Sequence, residues 1–213
     1  MADSIVTIEK VSLKYKKTVL TDVTITAEKG DVIGLLGLNG SGKSTLLSAI
    51  AGLRRTSSGT IKVSGKAGFV TQENALIDEL TAMDNLKMWT PLSKAEILKE
   101  LTDTELSILK VNDFIDLKVR RMSGGMKKRL AIASVLLSKP DILLMDEPLA
   151  ALDIPAKNDI IKFIDSFRAK GGTVFIASHS EELFKHCSKI YLLKNGAATL
   201  LPAGISPAEA LGC

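Results

Sequence analysis

Two short segments of the chain carry side chains whose types and spacing suit work on a charged ligand. In the first, three glycines precede a lysine and a hydroxyl: Gly37-Leu38-Asn39-Gly40-Ser41-Gly42-Lys43-Ser44. In the second, two adjacent carboxylates, Asp146 and Glu147, follow the apolar residues 142–145. Glycines let backbone N–H groups turn toward an anion, and carboxylates bind hard cations. Together the two segments predict a site for a phosphate ester and a divalent cation.

The glycine-rich run matches the phosphate-binding loop pattern, and it lies between an apolar strand and a predicted helix. Its N–H groups and the positive end of the helix dipole are expected to hold phosphate oxygens. Lys43 would neutralise the β- and γ-phosphates of a nucleotide, and Ser44 would offer its hydroxyl to Mg²⁺, with Thr45 beside it. The alternative is a glycine-rich turn that carries Lys and Ser by chance. The strand and helix on either side favour a nucleotide site at residues 37–45.

The two carboxylates have complementary predicted roles. A strand that ends at Asp146 would deliver this side chain to the metal, and Glu147 could polarise the attacking water. In isolation, the same residues would be read as a core strand followed by a solvated acidic turn. Because the chain also holds a phosphate-binding loop, we favour the metal site and the water-activating role.

The pattern of strands and helices around these segments indicates a parallel α/β sheet. Residues 32–36, 142–145 and 173–177 are uninterrupted apolar runs, as strands buried on both faces require. A predicted helix separates the last two runs, and its buried face is formed by Ile160, Ile161, Ile164 and Phe167. Strand, helix and strand in this order predict parallel neighbours in one sheet.

Two other parts of the chain have different patterns. Apolar residues alternate in the first thirty positions, for example at Val6 and Ile8, which indicates short antiparallel strands. Residues 73–139 are helical in character, and Ser93-Lys94-Ala95-Glu96 matches a capping box at a helix start. We therefore expect a single domain, residues 1–213, with an inserted helical subdomain at about residues 73–139.

Composition excludes several classes of protein. The chain has 213 residues, 46% hydrophobic and 24% charged, which suits one globular domain. No apolar run approaches the roughly 20 residues of a membrane-spanning helix, and Met1-Ala2-Asp3-Ser4 do not resemble a secretory signal, so we expect a cytosolic chain. Cys187 and Cys213 lack the spacing of a disulfide framework or a zinc site. With a net charge of only +4 and 4% aromatic residues, a nucleic-acid platform is not expected.

A third segment resembles a known family. Met122-Ser123-Gly124-Gly125-Met126 closely resembles the signature sequence of ABC ATPases, and it precedes the carboxylate strand as it does in that family. The resemblance covers essentially the whole chain. It implies an α/β fold: a P-loop NTPase core with a parallel sheet, an N-terminal antiparallel β subdomain and an inserted helical subdomain. The activity it implies is Mg²⁺-dependent ATP hydrolysis.

Further residues take roles only through this resemblance. Tyr15 resembles the aromatic residue that stacks on adenine. Gln72 resembles the glutamine that joins the metal site to the helical subdomain, and His179 the switch histidine that senses the γ-phosphate. Residues 150–153 resemble the D-loop. Each residue alone has a simpler explanation: Tyr15 could pack within a strand, Gln72 could be a solvated loop residue, and His179 and Ser123 could cap local turns or helices.

The resemblance also implies that one chain holds an incomplete site. In the family, ATP lies between the phosphate loop of one subunit and the signature of another, so Ser123, Gly124 and Gly125 would contact ATP held by a partner. That partner would be a second copy or a related ATPase. A separate transmembrane permease is expected to contact the helical subdomain near Gln72, which would place the chain peripherally on the cytoplasmic face of a membrane.

Two positions depart from the family pattern. Met126 replaces the usual glutamine of the signature, and Ala150 replaces the common serine of the D-loop. We expect these changes to tune the rate of hydrolysis. The run from Ser123 to Leu130 looks most like the drug, polysaccharide and haem exporter branches, which predicts export.

Other classes of protein share part of this pattern. A soluble ABC ATPase, such as one serving iron–sulfur assembly, is the main alternative. A translation factor of the family would normally hold two such domains, and a DNA-maintenance ATPase would carry long heptad segments. A nucleotide kinase or GTPase would share the phosphate loop, but it gives no reason for the signature, Gln72 or His179.

Overall fold

A computed structural model describes residues 4–14, 18–202 and 205–211. Tyr15, Cys213 and residues 1–3 lie outside this described part. The strands are β1 Ser4–Lys14, β2 Thr18–Glu28, β3 Val32–Leu36, β4 Ser58–Val63, β5 Ala67–Val70, β6 Ile142–Asp146, β7 Thr173–Ala177, β8 Lys189–Lys194 and β9 Ala197–Leu200. The helices are α1 Lys43–Ile50, α2 Ala82–Met88, α3 Lys94–Asp103, α4 Gly124–Leu136, α5 Ile154–Ala169, α6 Glu181–Phe184 and α7 Pro207–Leu211.

The larger sheet has six strands in the order β5-β6-β7-β3-β8-β9. Its first five strands are parallel, and β9 joins the edge antiparallel to β8. Leu35 of β3 and Asp146 of β6 both pair with Ala177 of β7, so the carboxyl ends of these three strands lie level. The parallel α/β sheet predicted from the apolar runs is confirmed.

Both faces of this sheet are buried, as the uninterrupted apolar runs require. On β6, Leu143 and Met145 join the hydrophobic cluster that contains helices α4 and α5. Ile142 and Leu144 point the other way and join the cluster formed with α1 and the second sheet. Successive residues of a strand face opposite sides of a sheet, and neither side of β6 is left to solvent. A strand of this kind needs apolar residues at every position.

The second sheet has three strands in the order β2-β1-β4, all antiparallel. Alternate residues of β1, among them Val6 and Ile8, are fully buried against α1 and the six-stranded sheet. Antiparallel pairing in the first thirty residues is confirmed. The strands are longer than expected, at eleven residues each, because register shifts between Ile8 and Leu13 let β1 continue past its irregular positions.

Between β5 and β6 the chain forms three helices and three 3₁₀ helices, the latter at Glu105–Leu109, Val111–Phe114 and Val119–Arg121. Ser93 caps α3 as the sequence predicts: its hydroxyl accepts from the Glu96 N–H, and Glu96 accepts from the Ser93 N–H. The chain between α3 and α4 is broken into short turns because Lys110 takes a left-handed conformation, with φ of 53°. Within the described ranges, no helix is long and apolar enough to cross a bilayer.

Candidate functional site

The phosphate loop, residues 37–45, connects β3 to α1 at the carboxyl end of the sheet. Gly42 caps α1 with φ of 102°, a left-handed conformation that favours glycine. A Cβ added at Gly42 would lie 2.7 Å from the Leu20 side chain, and one added at Gly37 would lie 2.5 Å from the Ser41 hydroxyl. A Cβ at Gly40 would meet no atom within 4 Å. The loop is therefore closely packed on its inner side and open at its tip.

Lys43 holds the loop closed from inside. Its ammonium group donates to the carbonyls of Gly37 at 2.7 Å and Leu38 at 3.2 Å. The residue is only 7% exposed, and burial lowers the pKa of its ammonium, while the nearby carboxylates of Glu147 and Asp146 oppose that shift. A positive charge thus lies beneath an open loop of N–H groups, next to the end of the α1 dipole, which is an arrangement that attracts phosphate.

Asp146 ends β6 beside this loop. Burial raises the pKa of its carboxyl, and a hydrogen bond from the Ser44 hydroxyl and the charges of Lys43 and Lys128 work against that rise. Its Oδ1 atom is buried and has no hydrogen-bond partner among the described residues. Buried polar atoms are rarely left unpaired, so this oxygen is suited to a ligand.

Glu147 follows in a left-handed conformation, with φ of 45°, and its N–H donates to the carbonyl of Ala177. Its Oε1 lies 3.0 Å from Nδ1 of His179, and its Oε2 accepts from the Ser178 hydroxyl at 3.3 Å. The Glu147 side chain is 11% exposed and the His179 side chain 67% exposed. The carboxylate is therefore fixed from two sides, and the imidazole extends from it toward solvent.

These side chains surround one cleft of about 550 Å³. Its lining is formed by Val19, Asn39, Gly40, Ser41, Gly42, Lys43, Ser44, Thr45, Gln72, Asp146, Glu147, Ala150 and His179. Sequence patterns anticipated most of this set. Sequence patterns did not identify Val19 or Ser178, whose hydroxyl donates to Glu147. Ser178 lies between the end of β7 and His179, and this position is the sequence signal that could have identified it. Tyr15 lies outside the described residues.

Five predicted residues of the described part do not line the cleft. Gly37 and Leu38 lie in the phosphate loop, where their carbonyls accept from Lys43, and the other three form the signature segment. Ser123 caps α4, accepting from the Met126 N–H at 3.2 Å, and Ser123 and Gly124 are exposed. Gly125 is buried, and a Cβ there would lie 2.7 Å from the Cβ of Ala156 at the start of α5. The signature segment, residues 123–125, therefore packs beside the turn at residues 150–153 and has its first two residues exposed.

The cleft fits a nucleoside triphosphate and a divalent cation. The open glycine loop and Lys43 provide N–H groups and positive charge for phosphates. The unpaired Asp146 Oδ1 and the neighbouring Ser44 hydroxyl are oxygen ligands of the kind that Mg²⁺ prefers. The Ser41 hydroxyl is also buried without a partner among the described residues, which gives the loop a further unused polar atom.

Comparison with known proteins agrees with this geometry. Residues 20–150 match the family described as ABC transporter. The chain is 36% identical over 197 residues to the linearmycin resistance ATP-binding protein LnrL of Bacillus subtilis, covering 85% of this chain and 63% of that protein. It is 33% identical over 215 residues to the methionine import ATP-binding protein MetN of Clostridioides difficile, covering 90% of this chain and 66% of that one. The chain thus spans slightly less than two thirds of the length of these two relatives.

A solved structure supports the same assignment. A dimeric ATP-binding cassette in a post-hydrolysis state, bound to ADP and phosphate, superimposes with a TM-score of 0.81 at 27% identity. The match covers 92% of this chain and 97% of that chain. From the family match, the relatives and the fold, the chain belongs to the ABC transporter family and has the ABC ATPase fold.

Proposed function

We propose that this chain is the motor subunit of a transporter, which binds Mg²⁺ and ATP together with a second such chain and uses hydrolysis to move a separate permease. The observation that carries the proposal is the division of the predicted site. The phosphate loop, Asp146, Glu147 and His179 converge on one cleft, while residues 123–125 lie outside it, with Ser123 and Gly124 exposed. A second chain is needed to bring the two halves together.

In the proposed complex, residues 37–45 hold the triphosphate. The N–H groups of Gly40, Gly42 and their neighbours surround the phosphate oxygens, and Lys43 provides the charge. Ser44, Asp146 and Gln72 hold the magnesium ion, directly or through water. Mg²⁺, when bound, neutralises phosphate charge and orients the terminal phosphate. Chelation with EDTA should therefore abolish turnover, and added Mg²⁺ should restore it.

Glu147 is the proposed general base. Its carboxylate accepts a proton from the attacking water, and the bonds from Ser178 and His179 fix its position. His179 is exposed enough to turn from Glu147 toward a terminal phosphate, which is the contact expected of a switch residue. Both roles require the left-handed backbone at Glu147, since this turn aims the side chain across the carboxyl ends of β6 and β7.

The partner chain contributes the signature. Ser123 and the N–H groups at the start of the 13-residue helix α4 would face the γ-phosphate held by the other subunit. The partner is a second copy of this chain or a related ATPase, and the size of the complex formed by the isolated chain with ATP distinguishes the two. A homodimer would form without any other protein.

The permease would dock on the apolar groove, a cavity of about 280 Å³ whose lining includes Phe69, Leu76, Trp89 and Val135. Trp89 is 55% exposed although it is large and apolar, which favours burial by another protein. The groove lies beside Gln72, where the proposed helical subdomain, residues 73–139, meets β5. This docking would hold the chain peripherally on the cytoplasmic face of the membrane. Replacing Trp89 with Ser should weaken recovery of the chain with membranes.

Export is proposed from the residues that follow Ser123. The relatives include both a resistance protein and an import protein, so the direction is tested by transport in vesicles containing the permease. The second candidate function is a soluble ATPase of iron–sulfur assembly. Recovery with a soluble scaffold, in place of an integral membrane protein, would favour that alternative.

The direct test of the proposal is the variant Glu147→Gln. It should bind Mg²⁺ and ATP normally, lose turnover by about 10²- to 10⁴-fold, the range for loss of a general base, and accumulate as an ATP-bound dimer. Turnover and mass in solution are measured together. The matched control is Glu182→Gln in α6, an exposed residue outside the cleft, which should behave as the unaltered chain. A Glu147→Gln protein that hydrolyses ATP at the normal rate would overturn the assignment.

A further inference from the structure

Lys128 is a buried lysine of α4 that does not line the cleft, although its charge acts on Asp146. It is 4% exposed, and its ammonium donates to the carbonyls of Thr71 at 3.2 Å and Gln72 at 3.1 Å. No carboxylate of the described residues forms an ion pair with it. Its ammonium has only neutral carbonyls as hydrogen-bond partners, and burial lowers its pKa while the charge of Asp146 opposes that shift. Such a buried cation is costly to desolvate, so its position calls for a reason other than stability.

The two carbonyls belong to the start of the connection between β5 and α2, residues 71–80, which we call the glutamine loop. Lys128 therefore binds this loop at Gln72, the residue that lines the nucleotide cleft. It lies just over one turn from Ser123, the N-cap of the same helix. A single rigid helix thus joins the main chain at Gln72 to the signature segment.

The other end of the glutamine loop also forms hydrogen bonds with α4 and with the segment just before it. Asp78 accepts from the Lys127 ammonium at 2.9 Å, and its carbonyl accepts from the Arg120 N–H. Asn85, which is fully buried, binds the N–H and the carbonyl of Ile77. Consecutive lysines of α4 thus contact the two ends of the loop, but the Lys127–Asp78 ion pair is partly exposed, and such pairs contribute little. The buried contact of Lys128 is therefore the one expected to fix the loop, and Lys127 is its matched control.

We propose that Lys128 is a positioning residue: it fixes the peptide groups of Thr71 and Gln72 to α4, so that a displacement of Gln72 toward the nucleotide is carried to the signature segment. The inference rests on the proposed function, since Gln72 must take part in binding or hydrolysis for its position to matter. Lysine suits this task because its three donors reach two successive carbonyls at once. An apolar side chain of similar length would fill the space and leave both carbonyls free to rotate.

The test compares Lys128→Met with Lys127→Met. Methionine keeps most of the buried volume and removes the charge, but it also removes the donor of two carbonyls; these effects oppose each other, so Lys128→Met should remain folded with an unfolding temperature close to that of the unaltered chain. Its affinity for ATP, set by the phosphate loop, should stay within about twofold, while kcat should fall about tenfold, as for loss of one precise positioning contact. Lys128→Arg, which keeps charge and donors, should recover much of kcat, and Lys127→Met should match the unaltered chain.

Trp89 gives a second readout, because it is the only tryptophan in the sequence and lines the apolar groove with Thr71 and Leu76. Addition of Mg²⁺ and ATP should change its fluorescence in the unaltered chain and in Lys127→Met, and the change should be reduced in Lys128→Met. A folded Lys128→Met protein with normal kcat and a normal fluorescence change would overturn the inference and leave the proposed function intact. Failure of the unaltered chain to bind ATP would overturn both.

Discussion

The two halves of the proposed site differ in how far one chain completes them. On the phosphate side, Lys43, Asp146 and Glu147 are each less than 9% exposed as whole residues and are held by neighbouring carbonyls and side chains. On the signature side, Ser123 and Gly124 are exposed and face no other part of the cleft. The first half is prepared for its ligand by the fold alone. The second half is a helix start that becomes useful only against another molecule.

The largest effect on ATP binding is expected from Lys43→Met, which disrupts the phosphate side of the site. The variant loses the only ammonium beneath the loop tip among the residues lining the cleft, and the carbonyls of Gly37 and Leu38 lose their donor. Charge-assisted hydrogen bonds contribute about 1.5–3 kcal/mol, so the Kd for ATP should rise about 10- to 100-fold. Equilibrium binding of a fluorescent ATP analogue measures it. Lys62→Met, on the exposed face of β4, is the control, and equal affinities for both variants would contradict this account.

Gly124→Asp should break the signature half without disturbing the fold. A Cβ at Gly124 lies 3.9 Å from its nearest neighbour, and an acidic residue in the first turn suits the helix dipole. The new carboxylate would face the partner's γ-phosphate, a like-charge contact that costs several kcal/mol. Turnover should fall by about 100-fold or more, while the isolated chain binds ATP normally. Gly124→Ala, which adds bulk and no charge, should retain most of its turnover; an equal loss in both variants would point to a steric cause.

Paired cap variants sharpen the comparison. Ser123→Ala and Ser93→Ala each remove a helix N-cap, so each should lower the free energy of unfolding by about 1 kcal/mol. Denaturant unfolding measures this cost. Only Ser123→Ala should also weaken the ATP-dependent dimer of a Glu147→Gln background, as seen by light scattering. Equal dimerisation in the two variants would mean that Ser123 only caps α4 and does not contact the partner's ATP.

The smallest effect concerns Asp31, which lies at the opposite end of the sheet from the cleft. Burial alone would raise the pKa of this carboxyl, but bonds from Lys189, the Glu28 N–H and Ser188 together lower it below the ordinary value of 3.8. A lowered pKa means that the carboxylate stabilises the fold above the unfolded-state pKa, and that this stability is lost as the pH falls through the folded-state pKa.

Asp31→Asn should therefore be less stable than the unaltered chain near neutral pH and should lose less stability on acidification. Urea unfolding at about pH 7 and about pH 3 measures both effects. Asp103→Asn, at the exposed end of α3, is the control and should follow the unaltered chain. If the free energy of unfolding falls equally with pH in Asp31→Asn and in the unaltered chain, Asp31 is not a source of the acid-dependent stability.

Sequence patterns picked out residues on the phosphate side that the structure brings to one cleft, and the reason is physical. Strands β3, β6 and β7 are buried on both faces, so their sequences admit almost only apolar residues and stand out. A polar residue at the end of such a strand, such as Asp146, is then conspicuous. The glycines of the phosphate loop stand out similarly, because the conformation at Gly42 is one that few other residues adopt.

Other features depend on contacts between distant residues and leave little local pattern. Strand β9 is a largely exposed edge element, so it lacks the apolar run that marks β6. The buried Asp159 binds Lys110 at 2.8 Å and Arg129 at 3.2 Å, a bridge between α5 and two segments some 30 to 50 residues earlier. Lys128 reads as a surface lysine in a basic run. Its burial follows only from the packing of α4 against the glutamine loop.

The measurement that tests the central claim most directly is a one-to-one mixture of Lys43→Met with Gly124→Asp. In a mixed dimer, one site would combine both defects, and the other would join an intact phosphate loop with an intact signature. If half of the dimers are mixed and each has one working site of two, turnover should recover to roughly a quarter of the normal value. The unaltered chain, measured in parallel, must hydrolyse ATP. If it does and the mixture is no more active than the two variants measured separately, the result would contradict a site shared between two chains.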